Sequence, residues 1–199
     1  MTAPAADDAL LAFPFIGGRP CLDFVATLGK RHSVPVERLR GPDSFGRWIV
    51  EAGLQSQEPV ISPEDLAAAR VLREALYRLL TSAMHGRRLD PADVDETNRA
   101  ATRPDLAPQL VRRDIDAVAL GHARGIASAV LATIARDAVL LVGGPLMDRV
   151  KECENSGCSL LFLDDSQARR RRWCSMERCG NLAKIAGYRA RNRAASRKP

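Results

Sequence analysis

The chain has 199 residues, of which 46% are hydrophobic and 27% are charged, and its formal net charge is +6. This composition excludes a fully disordered chain, and no apolar run approaches the roughly 20 residues that a membrane-spanning helix needs. Because residues 1–11 are acidic and rich in alanine, unlike a secretory signal, we expect a cytoplasmic protein without a membrane partner.

After a first dozen residues that we expect to form a loose arm, apolar residues recur at helical spacing and predict several helices. The clearest start is Ser62-Pro63, because a serine side chain accepts backbone N–H bonds and proline suits the first helical position. A polar stretch with a proline, 30–40, predicts a loop. Five helices are predicted. The first covers residues 20–28, and the second covers 45–52, with Asp43 or Ser44 as its cap. The third is long and runs from Ser62-Pro63 to near Gly86, the fourth is short and begins at Asp90-Pro91, and the fifth covers 126–142.

Residues 109–120 have a different pattern, in which two short alternating runs flank Asp114-Ile115-Asp116. Alternation with a period of two is typical of a strand, so this stretch predicts a small β-hairpin. Together these elements predict a mostly helical domain over residues 1–147, large enough to bury a single hydrophobic core.

Basic residues are concentrated in the last quarter of the chain. Residues 149–199 carry 13 basic and 5 acidic side chains, whereas residues 1–148 carry 17 basic and 19 acidic ones. A neutral body joined to a cationic end is typical of a protein that binds a polyanion. A solvated basic tail without such a partner is the alternative.

Four of the five cysteines lie in this basic end and form the pattern C-x4-C-x15-C-x4-C, through Cys153, Cys158, Cys174 and Cys179. Two short loops that each supply two thiolates are typical of a tetrahedral zinc site. Because four cysteines leave no coordination position for water, we expect one structural Zn²⁺. Two disulfides or four unrelated thiols are the alternatives, and a reducing cytosol disfavours disulfides. We expect the fifth cysteine, Cys21, to be a small buried residue.

A helix is predicted after the third cysteine of this set, with Ser175 as its cap. Between the two cysteine loops, residues 159–165 predict a strand, which with the first loop forms a zinc-bearing hairpin. The apolar residues Leu182, Ile185 and Ala186 of the helix are expected on one side, where they would pack on this zinc hairpin. The opposite side is cationic. We expect Trp173 to fill the small core beside the metal rather than to stack on a base.

Arginine presents a fork of donors that fits phosphate oxygens and guanine edges, and a helix fits the major groove of DNA. The candidate nucleic-acid contacts lie in the arginine run before the third cysteine and on the outer side of the helix; they are Arg169, Arg170, Arg171, Arg172, Lys184, Tyr188, Arg189, Arg191 and Arg193. The alternative is a structural role, in which these arginines pair with Asp164, Asp165 and acids of the body.

Three segments of this end form a recognisable set: Cys153-x4-Cys158-x2-Leu161-Phe162-Leu163-Asp164, Arg171-Arg172-Trp173-Cys174-Ser175-Met176, and Cys179-Gly180-Asn181-x2-Ala183-Lys184. Together they resemble the CGNR zinc-finger family. The resemblance implies a small treble-clef-like finger with four cysteine ligands, built from a β-hairpin and a helix, over residues 148–199. Leu182 stands where the name motif of that family has arginine.

Residues 17–27, which read Gly-Gly-Arg-Pro-Cys-Leu-Asp-Phe-Val-Ala-Thr, are similar to the opening of the ABATE domain, which usually precedes this finger. Ala26 occupies a place where relatives often carry asparagine. The resemblance implies a bacterial stress-induced transcription regulator with an ABATE-like domain over residues 1–147. We therefore expect a finger that binds double-stranded DNA and a helical domain that senses a small-molecule effector or forms a homodimer.

Other functions stay open from the residues alone. An RNA-binding or protein-interaction module would also use a basic helix and a structural zinc, but aromatic residues for base stacking make up only 5% of the chain. An enzyme in the helical domain is disfavoured, because His32, His85 and His122 lack metal-ligand spacing and no glycine-rich phosphate loop occurs. We expect a protein that is not an enzyme.

Overall fold

The computed structural model describes residues 10–114, 117–185 and 188–189. These residues form a mainly helical fold, as predicted, in which short strands pair in twos. The helices are α1 (Pro20–Val25), α2 (Pro42–Glu51), α3 (Pro63–Met84), α4 (Pro91–Ala101) and α5 (Ala127–Val142). The antiparallel pairs are β1 (Leu28–Gly29) with β2 (Val36–Glu37), β3 (Pro108–Asp114) with β4 (Ala117–His122), and β5 (Val150–Glu152) with β6 (Leu161–Leu163). A 3₁₀ turn covers Pro145–Arg149, a π-helical turn covers Met176–Gly180, and residues 181–185 are helical.

The predicted starts of α3 and α4 are confirmed, and each combines a capping side chain with a proline. At α3, the Ser62 hydroxyl accepts from the Asp65 amide at 3.1 Å, and the Asp65 carboxylate accepts from the Ser62 amide at 3.0 Å. At α4, Asp90 accepts from the Ala92 amide at 2.9 Å. After α3, Gly86 takes φ +62°, a conformation that favours glycine, and the helix ends there as expected.

The first helix is shorter than the sequence pattern predicts, since α1 ends at Val25. The amide and the hydroxyl of Thr27 both bond to the Phe24 carbonyl, at 3.1 and 2.7 Å. This uses the acceptor that a further helical turn would need. The chain instead enters β1, whose partner β2 lies inside the stretch that was predicted to be a loop.

The second helix begins three residues earlier than predicted, at Pro42, and Gly41 is its cap rather than Asp43 or Ser44. The Ser44 hydroxyl bonds back to Gly41, accepting from its amide at 3.0 Å and donating to its carbonyl at 2.5 Å. The serine therefore stabilises the first turn from inside the helix. The predicted hairpin is confirmed as β3 and β4, and its turn residues 115–116 lie outside the described residues.

The main hydrophobic core lies where α1, α2, α3 and α5 meet. Phe24, Phe45 and Trp48 are fully buried and form an aromatic group, with the Phe24 and Trp48 ring centroids 5.2 Å apart. The core continues past the predicted domain boundary at residues 147 and 148, because Val150 and Leu161 of the C-terminal segment belong to the same cluster. The C-terminal segment is therefore packed on the helical body rather than separate from it.

Backbone and side-chain hydrogen bonds add to this packing. The Leu163 amide donates to the Gly17 carbonyl at 2.8 Å, and the Arg31 amide donates to the Ser159 hydroxyl at 2.9 Å. These bonds join the opening of the body to strand β6 and to the residues before it. No helix in the described part of the chain is long and apolar enough to cross a membrane.

Asp137 on α5 holds the start of α1 in place. Its carboxylate forms an ion pair with Arg19 and accepts from the Cys21 amide at 2.9 Å. A carboxylate at a helix N-terminus also interacts favourably with the positive end of the helix dipole. This contact fixes α1, and with it the Gly17 carbonyl that receives strand β6.

We expect Asp137→Asn to lower the free energy of unfolding by about 2 kcal/mol, the usual worth of hydrogen bonds to a charged group. Urea unfolding followed by circular dichroism measures this. The control is Asp105→Asn, which removes a more exposed ion pair, 2.6 Å long, with Arg136 and should cost less than about 1 kcal/mol. Equal losses in the two variants would show that Asp137 has no special role.

Candidate metal centre and basic surface

The four cysteines of the C-terminal segment converge on one point. All four sulfur atoms lie within 4.8 Å of one another; they belong to Cys153, Cys158, Cys174 and Cys179. Three of the four side chains are buried, and Cys158 is half-buried. The structure therefore brings together the whole predicted ligand set, from two loops separated by strand β6.

Local backbone geometry places each pair of sulfurs. The Cys153 amide donates to the Leu160 carbonyl at 3.0 Å, and the Cys158 amide donates to the Asn155 carbonyl at 2.7 Å, so the first loop folds back on itself. In the second loop, the Ser175 hydroxyl accepts from the Arg178 amide at 3.1 Å. This cap begins the π-helical turn that carries Cys179, and it confirms Ser175 as the predicted helix cap.

The sulfur spacing fits zinc and excludes disulfides. The Cys158 and Cys174 sulfurs are 3.9 Å apart, and those of Cys174 and Cys179 are 3.6 Å apart. Zinc at about 2.3 Å from each ligand of a tetrahedron requires sulfurs about 3.8 Å apart, whereas a disulfide requires about 2 Å. None of the five cysteines forms a disulfide, and Cys21 is fully buried on α1, as predicted.

Close contact between the sulfurs spreads the pKa values of the thiols apart. Hydrogen bonds from Cys158 and Cys174 lower the pKa of Cys153 to about 2, and the bond to Cys153 raises the pKa of Cys158 to about 12. Hydrogen bonds with Cys153 and Cys158 raise the pKa of Cys174 further. Four thiolates become stable together when a divalent ion neutralises them, and one structural zinc does this.

A small second core surrounds the sulfurs. Phe162 is fully buried there, and Trp173 packs against the cluster while half-buried, which confirms its predicted place beside the metal. Ala26, from the end of α1, is 3% exposed and belongs to the same core. The helical body thus supplies part of the wall around the metal centre.

The loop that carries the arginine run is anchored by Asp164, which is fully buried. Its carboxylate accepts from Lys151 Nζ at 2.6 Å and from the Arg171 amide at 3.0 Å. Although burial opposes ionisation, the bonds from Lys151, Ser166 and Arg171 hold the pKa of Asp164 well below its usual range. Lys151 Nζ also donates to the Arg169 carbonyl at 2.7 Å. No sequence pattern indicated this role for Lys151.

The four arginines of the run divide into two kinds. Arg171 donates to the carbonyls of Trp173 and Cys174, and its guanidinium lies 4.6 Å from the Phe162 ring centroid. Arg172 pairs with Glu154 at 2.6 Å. Arg171 also lies 3.6 Å from Asp165, a pair that the alternative interpretation held, whereas Glu154 belongs to the C-terminal segment and not to the body. Both arginines therefore have structural partners. Arg169 and Arg170 are exposed, and neither forms an ion pair with a described residue.

The remaining predicted contacts follow the four cysteines in the sequence. Lys184, Tyr188 and Arg189 are exposed, whereas Arg191, Arg193 and Ala186 lie outside the described residues. Leu182 lines a cavity together with Cys158 and Cys179, but it is 58% exposed and Ile185 is 47% exposed, so neither is buried against the zinc-bearing hairpin as predicted. The described residues of this helix on both predicted sides are exposed, Lys184 and Tyr188 as well as Leu182 and Ile185, so spacing alone does not identify a packed face.

Asp23, within the motif at residues 17–27, also has a structural role. Its carboxylate accepts from the Gly17 amide at 2.8 Å and so holds the turn whose carbonyl bonds to strand β6. Burial raises the pKa of Asp23 to about 6, and the charge of Asp137 contributes in the same direction. This motif therefore joins the body to the zinc-bearing segment.

Comparison with protein-family models gives two adjacent matches. The ABATE model, described as "Putative stress-induced transcription regulator", matches residues 18–145, and the CGNR zinc finger model matches residues 149–192. Their order along the chain is the order that the sequence motifs predicted. No curated protein matches the chain.

We expect about one zinc per chain in the wild-type protein and a large loss in Cys174→Ala, because three thiolates leave the site incomplete. Atomic absorption on purified protein after dialysis measures the content. Cys21→Ala makes the same substitution at the remaining cysteine and should retain the metal. Zinc lost equally from both variants would argue against the assigned ligand set.

The raised pKa of Asp23 predicts a pH dependence of stability. Between about pH 4 and pH 6 the unfolded carboxyl loses its proton while the folded one keeps it, so stability falls as the pH rises through this window. Between pH 4 and pH 6, the free energy of unfolding of the wild type should fall by about 2 kcal/mol more than that of Asp23→Asn. Urea titrations of both proteins at several pH values measure this difference. Because both proteins have the same zinc site, its own pH dependence does not affect the difference. A constant difference would refute the assignment.

Proposed function

The chain belongs to the ABATE family, and on that basis we propose that it is a zinc-dependent transcription regulator whose C-terminal finger binds double-stranded DNA. The observation that carries the proposal is the anchored arginine loop beside the four-cysteine centre. It presents exposed guanidinium groups from a backbone that is fixed by the metal site and by the ion pair of Lys151 with the buried Asp164.

The arginine loop is held at both ends. Lys151 holds the Arg169 carbonyl, and Asp164 holds the Arg171 amide. The loop then runs directly into the metal ligand Cys174. Because its backbone is fixed before binding, Arg169 and Arg170 lose little freedom when they contact phosphate. This arrangement favours a phosphate-binding surface over a solvated tail.

Charge and composition favour DNA duplex over single-stranded RNA. Segment 149–199 carries 13 basic against 5 acidic side chains, and some of these acids are already paired within the segment. Recognition of single strands relies on exposed aromatic rings. Trp173 is half-buried in the finger, so Tyr188 is the only exposed aromatic residue among the described residues of this segment. Backbone contacts with a duplex need only the cations.

We assign the regulatory role to the helical body. A cavity of about 200 Å³ lies between α3, α4 and α5, and apolar side chains such as Leu79, Val94 and Val142 line it. Such a cavity suits a small apolar effector. The outer face of the β3–β4 hairpin exposes Leu110, Val118 and Leu120, which suits contact with a second copy.

The proposed role is not catalytic, and its setting is the cytoplasm. Asp93, Asp137 and Asp164 are buried or largely buried acids, and each is paired with a cation, which supports a structural use for them. Thiolate ligands are stable in a compartment that keeps cysteines reduced.

We expect the double variant Arg169→Gln with Arg170→Gln to bind DNA about tenfold more weakly. The slope of log affinity against log salt should fall by about 2, because each lost phosphate contact releases one counterion fewer. Fluorescence anisotropy of a labelled random-sequence duplex at several salt concentrations measures both quantities.

The matched control is Arg87→Gln with Arg88→Gln, two adjacent exposed arginines in the loop after α3. It makes the same change in net charge and should leave the slope unchanged. A similar loss in both variants would indicate general electrostatic attraction rather than a site. Stronger competition by single-stranded RNA than by duplex would redirect the proposal to RNA, and no binding of either would redirect it to a protein partner.

A further inference from the structure

A buried arginine of the helical body lies beside the metal centre. Arg38 directly follows strand β2 and is 4% exposed. It lines a cavity of about 170 Å³ whose walls also include the metal ligands Cys158 and Cys179. No sequence pattern connects this residue with cysteines more than a hundred positions away.

The position of the Arg38 guanidinium is fixed by the backbone around it. Its Nε donates to the Ala12 carbonyl at 2.9 Å, and its Nη1 donates to the Ala26 carbonyl at 3.2 Å. Gly29 leaves room for it, because a Cβ at that position would lie 2.5 Å from Nη1. The group is therefore held at the edge of the cavity rather than free to reach solvent.

Arg38 does not form a salt bridge with any acid among the described residues. The nearest carboxylate in sequence, Glu37, is already bound by both terminal nitrogens of Arg73, each at 2.7 Å. A buried cation without a paired anion is costly, so its charge must be balanced by another group nearby.

The zinc centre supplies such a charge. One Zn²⁺ with four thiolates carries a net charge of −2, and most of it is shielded from water in the second core. Burial lowers the pKa of Arg38, and the nearby Arg178 lowers it too, whereas the negative charges of Cys158 and, after it, Glu37 act in the opposite direction. Lys30 and Arg178 line the same cavity, so cationic side chains and metal ligands share its walls.

We propose that Arg38 is the buried counter-charge of the zinc–thiolate cluster, through which the helical body sets the zinc affinity of the finger. Arg38 acts on the metal through its ligands and is a positioning residue. By thermodynamic reciprocity, zinc in the finger also stabilises the part of the body that holds Arg38, namely β2 and the carbonyls at the end of α1.

Two substitutions separate the charge of Arg38 from its position. Arg38→Gln removes the charge, whereas Gly29→Ala keeps it and pushes the flexible end of the guanidinium away from its site. Arg38→Lys keeps the charge without the planar fork. The matched control is Arg70→Gln, because Arg70 also donates to a backbone carbonyl, that of Leu39, but does not line the cavity.

Competition of the full-length protein with a zinc chelator measures the dissociation constant of zinc in each variant. We expect it to rise about 10- to 100-fold in Arg38→Gln, the usual effect of removing an outer-shell partner, and by less in Gly29→Ala and Arg38→Lys. It should stay within about twofold of wild type in Arg70→Gln.

Cobalt substitution gives a readout that a merely structural role would not change. Removal of a positive charge near the sulfurs should shift the sulfur-to-cobalt charge-transfer band to lower energy in Arg38→Gln but not in Arg70→Gln. If the folded Arg38→Gln variant has unchanged zinc affinity and an unchanged band energy, the proposal is overturned, even if the thermal stability of the variant is lower. If that variant does not fold, unchanged zinc affinity in both Gly29→Ala and Arg38→Lys would overturn it.

Discussion

The C-terminal segment of this structure is shaped by the repulsion between thiolates that lie too close to remain charged without a metal. Four sulfurs within 4.8 Å of one another cannot all be ionised alone, and a structural zinc removes that conflict. The metal then fixes two loops, the strand between them and the turn that starts the last helix. With so little buried apolar surface of its own, this segment would have a weak core without the ion.

The body and the finger are mutually supporting rather than independent. Val150 and Leu161 join the main core, while Ala26 of the body joins the small core beside the sulfurs. The motif at residues 17–27 lies at this junction, where Asp23 and Asp137 fix the turn and the helix that receive strand β6. A structural change in the body would therefore reach the finger through packed contacts.

The arginine run shows how similar side chains serve different purposes in one loop. Arg171 and Arg172 use their donors on carbonyls and a carboxylate within the segment, which leaves them less available for an external partner. Arg169 and Arg170 stay exposed on the same anchored backbone. Counting charges along a sequence therefore overstates the size of a binding surface, because some cations build the loop that presents the others.

Local spacing along the chain was enough to establish the metal site, most helix starts and the hairpin, because each of these depends on near neighbours: paired cysteines, serine or aspartate before proline, and alternation over 109–120. The end of α1, the exposed position of Leu182, and the roles of Asp164 and Arg38 emerged only in the folded chain. Those features depend on which distant groups satisfy a carbonyl or a buried charge. A linear pattern carries no record of such partners, since folding, and not spacing, brings them together.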